Sequence, residues 1–358
     1  MSQPNPPLLG IELPGTGTHP ASWRRADSRA EELFTAEYWL DAITAADAAG
    51  LDLVFLPDSF ALQVEGAVGR LEAVGIAARA AAATHRIGLI PEVPVTHTEP
   101  FHVSKAIASL DFATHGRAGW EVGVSAGQAG LFGRKGEQDA PSRWHEADEA
   151  VEVVTRLWDS WEDDAEIRDE ATGRFIDRDK LHYIDFAGDN FSVKGPSITP
   201  RPPQGQPLVA VRAADAHSTR VAVHRADLIR VAATDLDEAV RVRGELRGAI
   251  AAAGRDPNLV RVLLDLDVHL AETPEAAAAD LDRLEAWTPT ASNTLRHIGT
   301  PASLRDLLAE VRTECAGDGV VLRPLAVATF VTRLPAVAPT LRDRLGLPRP
   351  INRYALTA

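Results

Sequence analysis

Residues Thr96–Ser125 read THTEPFHVSKAIASLDFATHGRAGWEVGVS: a polar, proline-bounded turn, a helix and a strand in succession. An apolar run, Arg86-Ile-Gly-Leu-Ile-Pro, leads into the turn Thr96-His97-Thr98-Glu99-Pro100. Phe101, Lys105, Ile107, Ala108 and Leu110 then form a helical stripe that stops near Gly116. A polar segment after a strand and before a helix is where an α/β protein usually places its chemistry.

The pattern repeats in both directions. Strands are predicted at Leu8–Leu13, Asp52–Pro57, Arg86–Val95, Ala118–Val124, Pro207–Arg212, Asp227–Val231, Arg261–Leu270 and Gly319–Arg323. Helical patterns follow at Ala36–Ala49, Arg70–Ala83, Pro100–Thr114, Ser142–Ser160, Ala214–His224, Leu236–Ala253, Pro274–Ala286 with Pro301–Thr313, and Val331–Leu345. Short strands alternating with helices imply parallel pairing. Eight such units predict an α/β chain folded as one (β/α)8 TIM barrel over residues 1–358. The Asp-, Gly- and Pro-rich stretch 161–206 is read as an insertion after strand 4, on the catalytic rim.

Composition narrows the function classes. With 45% hydrophobic and 25% charged residues the chain is globular, and a net charge of -14 argues against nucleic acid or an anionic membrane as partner. The single Cys315 excludes an internal disulfide and suits a reducing compartment. Residues 1–10 lack a signal-peptide pattern and no apolar run is long enough to span a bilayer, so a cytoplasmic protein is expected.

Barrel strand ends supply the candidates for chemistry. Strand one is followed by Gly15, Thr16, His19 and Trp23, and strand two by Asp58 and Ser59. Strand three ends on Glu92, Thr96 and His97; strand four on Trp120, Glu121 and Ser125. Strand five gives Arg212, and strand eight Arg323. Asp58 serves equally as a helix cap, and Arg117 reads as a cap on helix-end carbonyls. Asp265 and Asp267 share a strand face and need cationic partners, for which Arg230 is the candidate. No metal-ligand spacing, Gly-x-Ser-x-Gly elbow, P-loop or dinucleotide fingerprint is present. Glu92 with Glu121 leaves a glycosidase pair as a minor alternative.

The block Val95-THTEPFHVSKAIASLDFATHGRAGW resembles the bacterial luciferase-like flavin-dependent monooxygenases, in the branch with nitrilotriacetate and dibenzothiophene-sulfone monooxygenases. So do Arg143-Trp-His-Glu-Ala-Asp-Glu-Ala-Val-Glu-Val-Val, Trp158-Asp-Ser-Trp-Glu-Asp-Asp-Ala-Glu-Ile-Arg-Asp, Asp189-Asn-Phe-Ser-Val-Lys-Gly-Pro and Ile298-Gly-Thr-Pro. The resemblance implies a two-component monooxygenase that takes FMNH2 from a separate flavin reductase, oxidises a small organic substrate with O2 and forms a homodimer. It implies no metal. F420-dependent hydride transfer and a non-catalytic ligand-binding barrel are the alternatives.

Carried over by motif, Asp58, Thr96, Glu121, Ser125 and Trp144 belong to the flavin site, with Arg212, Ala214, Ala216 and Arg220 at its phosphate turn. His19, Trp23 and His97 fall on the substrate side. The family turn G-A-S-P-A-G-R is here Ala214-Asp215-Ala216-His217-Ser218-Thr219-Arg220. It lacks the serine hydroxyl and adds a carboxylate that would repel a phosphate. His217, Ser218, Arg220 or Arg212 are the groups able to compensate.

Overall fold

A computed structural model describes residues 8–327 and 347–354. The expected eighth helix, Val331–Leu345, lies outside the described residues. Eight parallel strands close a barrel: β1 (Leu8–Glu12), β2 (Leu53–Leu56), β3 (Gly88–Pro94), β4 (Gly119–Gly123), β5 (Leu208–Arg212), β6 (Leu228–Val231), β7 (Arg261–Leu270) and β8 (Gly319–Pro324). Each pairs with its neighbours in chain order, and β8 returns to β1 with Leu8 opposite Gly319. The predicted strand set is therefore the observed one. An additional short strand, Arg296–Gly299, pairs with the upper half of β7, which at ten residues outruns the barrel.

The helices start where capping residues tell them to. They are α1 (Ala36–Ala48), α2 (Ala73–Ala81), α3 (Pro100–Thr114), α4 (Ala140–Asp159), α5 (Ala216–Arg225), α6 (Leu236–Ala252), α7 (Pro274–Trp287) and α8 (Pro301–Thr313). Thr35, Asp139, Asp235, Thr273 and Thr300 each accept a first-turn N–H, and α3, α4, α7 and α8 open with proline, whose missing N–H costs nothing there. The outward faces of the strands and inward faces of the helices form the main apolar layer, including Trp120, Val151, Trp158, Ile229 and Leu266. Trp158 of α4 is buried and donates through Nε1 to the Ser104 carbonyl of α3 at 2.9 Å. Arg117, also buried, donates to the carbonyls of Ala81, Thr84, Ile87 and Thr114, clamping the ends of α2 and α3 as a capping arginine.

The insertion does not lie on the rim. It follows α4, so its ends sit at the opposite, N-terminal end of the barrel. Gln204 donates its backbone N–H to Asp111 near the end of α3, and its side chain donates to Asp111 and to the Ala118 carbonyl just before β4. Arg201 pairs with Asp159 at the end of α4 (3.0 Å). Two small hairpins, Glu166–Asp169 with Arg174–Ile176 and Phe186–Ala187 with Ser192–Val193, fill the stretch. The second runs back along α4, where both Glu149 carboxylate oxygens accept the N–H groups of Asp189 and Asn190. His145, Glu149 and Asp189 come within coordinating reach of one another there, but this trio already serves as the hairpin's staple.

Trp158→Ala should lower unfolding stability by about 3–5 kcal/mol, the usual cost of emptying a large core site. Trp158→Phe should cost less. Urea midpoints of the two variants check both values; equal, small losses would contradict this placement.

Candidate active site at the barrel mouth

The inward-facing residues change character along the barrel axis. The lower layers are apolar, built from Leu8, Leu53, Phe55, Ile90, Leu208, Leu228, Leu263 and Val321. At the C-terminal ends of the strands the same faces carry charge: Glu12, Glu92, Glu121, Arg212, Arg230, Asp265, Asp267 and Arg323. Arg230 is completely buried and rests over the Phe55 ring at 4.5 Å. Its guanidinium donates to Glu12 at 2.6 Å, Asp265 at 2.9 Å, and both Glu121 oxygens at 3.1 Å. Arg212 donates to Glu12 from above, and Arg323 pairs with Glu12 at 3.2 Å and Asp267 at 2.9 Å. The expected Arg230–Asp265 pair is thus present, whereas Asp267 takes Arg323 instead of Arg230.

Carboxyls in this layer outnumber guanidiniums, and their ionisation divides accordingly. Burial alone would raise the pKa of Glu12, but Arg230, Arg212 and Arg323 together hold it well below the ordinary carboxylate range. Glu121 receives the longest contacts from Arg230, and burial pushes its pKa up despite that cation. Glu92 sits beside Glu121 in register on the next strand. Burial first, and the Glu121 charge second, raise its pKa to about 8, so it is mostly protonated at neutral pH. Gly123, two residues beyond Glu121 along β4, makes the room: a Cβ there would lie 2.5 Å from Glu92 Oε1. Glu121 is locked in the ion-pair layer, so these two carboxyls do not flank an open cleft as a glycosidase pair must.

Above this layer the loop after β1 folds back onto the end of β8. Thr18 and His19 donate their N–H groups to the carbonyls of Pro324 (2.9 Å) and Leu325 (3.3 Å). Gly17, at φ +151, permits the approach, since a Cβ there would collide with the Leu325 carbonyl oxygen. Beneath the loop is a cavity of about 310 Å³ lined by Glu12, Thr16, His19, Phe34, Gln63 and Arg323 among others. His19 is buried; its Nδ1 accepts the Ala21 N–H, while Nε2 lies 3.7 Å from Glu285 without a hydrogen bond. Burial lowers its pKa, favouring the neutral ring.

The candidate residues separate into groups. Thr96 and Ser125 come together, Thr96 Oγ1 accepting the Ser125 N–H at 2.8 Å, and the buried Ser125 hydroxyl has no hydrogen-bond partner. Arg212 is partly exposed at the top of the ion-pair layer, its Nε without a hydrogen bond. Glu121 lies below it. Asp58 is a helix cap, accepting from Ser59 (2.7 Å) and from Ala73 at the start of α2 (2.9 Å). Trp144 packs into the layer between barrel and helices. His97 stacks on Phe132 at 4.5 Å in the rim loop after β4. Trp23 is 44% exposed and, like His97, stands outside the cavity lining; of the expected substrate residues only His19 lines it. Glu12 was not among the candidates, though the spacing Leu8-Gly10-Glu12 places an acid at an inward strand end.

A flavin's ring and its phosphate make different demands. The mouth suits the ring, offering an unpartnered hydroxyl at Ser125, the partly exposed positive charge of Arg212 and a protonated Glu92. The turn before α5 does not suit the phosphate. Asp215 Oδ1 accepts the N–H groups of His217 and Ser218, each at 2.8 Å, and the Ser218 hydroxyl accepts those of Ala214 (3.0 Å) and Asp215 (2.9 Å). The N–H groups at the start of α5 are thus used internally. Burial would raise the Asp215 pKa, but these hydrogen bonds outweigh it and keep the carboxylate charged. Ala214, Ala216 and Arg220 are solvent-exposed.

An eight-stranded barrel with a charged floor and a cavity over its C-terminal mouth defines a (β/α)8 protein built to hold a ligand there. The family model of the luciferase-like monooxygenases matches residues 16–318, and the chain belongs to that family. It is 34% identical over 77% of its length to N-acetyl-S-(2-succino)cysteine monooxygenase of Bacillus subtilis, and 32% identical over 78% to nitrilotriacetate monooxygenase component A of Aminobacter aminovorans. It spans 64% and 66% of those two relatives' own lengths. With one of the pristinamycin IIA synthase subunits of Streptomyces pristinaespiralis it shares 34% identity, covering 88% of this chain and 91% of that one. The fold matches the crystal structure of long-chain alkane monooxygenase with a TM-score of 0.85 at 19% identity, covering 97% of this chain and 96% of that one.

Removing Arg230 leaves Glu12, Glu121 and Asp265 facing one another without their shared cation, so Arg230→Met should destabilise the fold by about 3–5 kcal/mol. A urea midpoint unchanged from wild type would contradict this.

Glu92 gives a pH signature. The folded protein retains its proton up to about pH 8, while the unfolded chain releases it near 4.5. The folded state therefore binds more protons across that window, and this contribution to stability falls as pH rises through it. Glu92→Gln lacks the proton, so wild type should lose stability relative to the variant from pH 5 to pH 8. Parallel curves in urea titrations at several pH values would contradict it.

Proposed function

We propose that this chain is the oxygenase component of a two-component, reduced-flavin-dependent monooxygenase acting on a small organic substrate. The observation that carries the reading is a cavity at the mouth lined by Glu12 and Arg323 of the buried charge layer, with the partly exposed Arg212, the Ser125 hydroxyl and the protonated Glu92 at neighbouring strand ends, in a barrel of this family. When bound, a reduced flavin supplies the two electrons that activate O2, one oxygen atom entering the substrate and the other leaving as water.

The chain's own contribution is binding, orientation and the exclusion of water. Arg212 offers positive charge to an electron-rich ring, Ser125 a hydroxyl, and Glu92 a proton held at its carboxyl. The Thr96–Ser125 contact fixes the loop after β4. The β1 loop, pinned to Pro324 and Leu325, closes one side of the cavity where His19 and Phe34 would meet the substrate. Among the described residues no helix is long and apolar enough to cross a membrane, in keeping with a cytoplasmic enzyme.

The relative named as a component and the relative named as a synthase subunit support two partners: a separate flavin reductase and a second barrel, as a homodimer or with a related chain. A deazaflavin is the alternative cofactor, since an F420-dependent alcohol dehydrogenase shares the fold.

Anaerobic titration with reduced FMN or reduced F420, followed by an oxygen pulse, tests the reading. Saturable quenching of tryptophan fluorescence by reduced FMN is expected, followed by oxygen uptake that yields an oxygenated product from a suitable small organic compound. Hydride transfer with F420 that needs no oxygen would overturn it. On this reading Ser125→Ala should weaken reduced-flavin binding by about 3–10-fold, the range for one hydrogen bond of about 0.5–1.5 kcal/mol. Unchanged binding would remove Ser125 from the site.

A further inference from the structure

The rim of the mouth is unusual in what caps its helices. Helices that follow barrel strands point their N-termini at the mouth, where backbone N–H groups and the helix dipole favour an anion. Here four of these starts are occupied by the chain's own carboxylates: Asp58 accepts from Ala73 of α2, Asp139 from Ser142 of α4, Asp215 from His217 and Ser218 of α5, and Asp235 from Glu238 of α6. At α5 the capping is reciprocal, because the Ser218 hydroxyl also takes the N–H groups of Ala214 and Asp215. A phosphate monoester carries about -1.5 to -2 charge at neutral pH. To enter the turn it would have to displace the Asp215 carboxylate, which holds the same N–H groups.

We infer that the mouth recognises the ring and ribityl chain of a flavin and gains nothing from its 5′-phosphate, so that riboflavin binds as well as FMN. Asp215 is the residue responsible. This deepens the flavin reading given above and rests on it. The phosphate remains outside the α5 turn, in solvent, and the selectivity is set by a carboxylate that imitates the missing anion.

Calorimetric titration of the full chain with riboflavin and with FMN, in wild type and in Asp215→Ser, tests this. Serine keeps the N-cap hydrogen bond, so α5 remains capped, while the repelling charge is gone. In wild type the two dissociation constants should agree within about threefold, and Arg220→Ala should leave that ratio unchanged. In Asp215→Ser the FMN constant should tighten about tenfold or more with riboflavin unaffected, as removing a like charge from beside the phosphate would give. Wild-type binding of FMN tenfold or more tighter than riboflavin overturns the inference, as does an Asp215→Ser variant that shifts both flavins equally or neither. Absence of binding by either flavin, in wild type and variant alike, is a different failure: it overturns the flavin reading itself.

Discussion

Everything at the mouth is arranged around one buried cation. Arg230 lies on the inner face of β6 with no exposed surface, stacked on Phe55 below and bonded to Glu12, Glu121 and Asp265 above. A guanidinium there is tolerable only because three strands supply carboxylates aimed at its fork, and the carboxylates are tolerable only because of it. Through Glu12 and Arg323 the layer reaches the cavity lining, and its charges set the ionisation of the strand ends. It leaves Arg212 partly exposed at its top and Glu92, where burial and the Glu121 charge outweigh Arg212, holding its proton.

This arrangement explains how one barrel can offer both a stable floor and reactive surroundings. The apolar lower layers are ordinary barrel core. Charge begins only toward the C-terminal ends of the strands, above the apolar layers. The same economy shapes the rim, where acidic caps stabilise helices and at the same time decide which anions are refused. At α5 the cap and the expected phosphate cradle compete for the same N–H groups, and the cap has them.

Much of this is legible in the amino-acid sequence. All eight strands followed from short apolar runs between helical patterns, and alternation along β7 put Asp265 on an inward face needing a cation. What alternation cannot give is the partner across the barrel. Asp267, two residues on, sits one layer higher and meets Arg323 of β8, not Arg230. The Asp-, Gly- and Pro-rich composition of the insertion resembles an active-site loop, yet the stretch lies at the other end of the barrel. The intervening α4 reverses the chain, and Gln204 and Arg201 anchor the stretch at the far end. The oddity of the α5 turn was visible as Asp215 in place of a small residue. That its carboxylate turns inward to cap the helix follows from local hydrogen-bond geometry, which only the folded backbone supplies.

The central claim, that the charged mouth grips a flavin by its ring while Asp215 keeps the phosphate out, is tested most directly by a crystal structure of the chain soaked with FMN. The account predicts the ring lying over Arg212 and Glu92, the phosphate in solvent, and Asp215 still bonded to the His217 and Ser218 N–H groups. A phosphate seated in the α5 turn with Asp215 swung away would contradict it, and so would a mouth closed by its own side chains with no flavin bound.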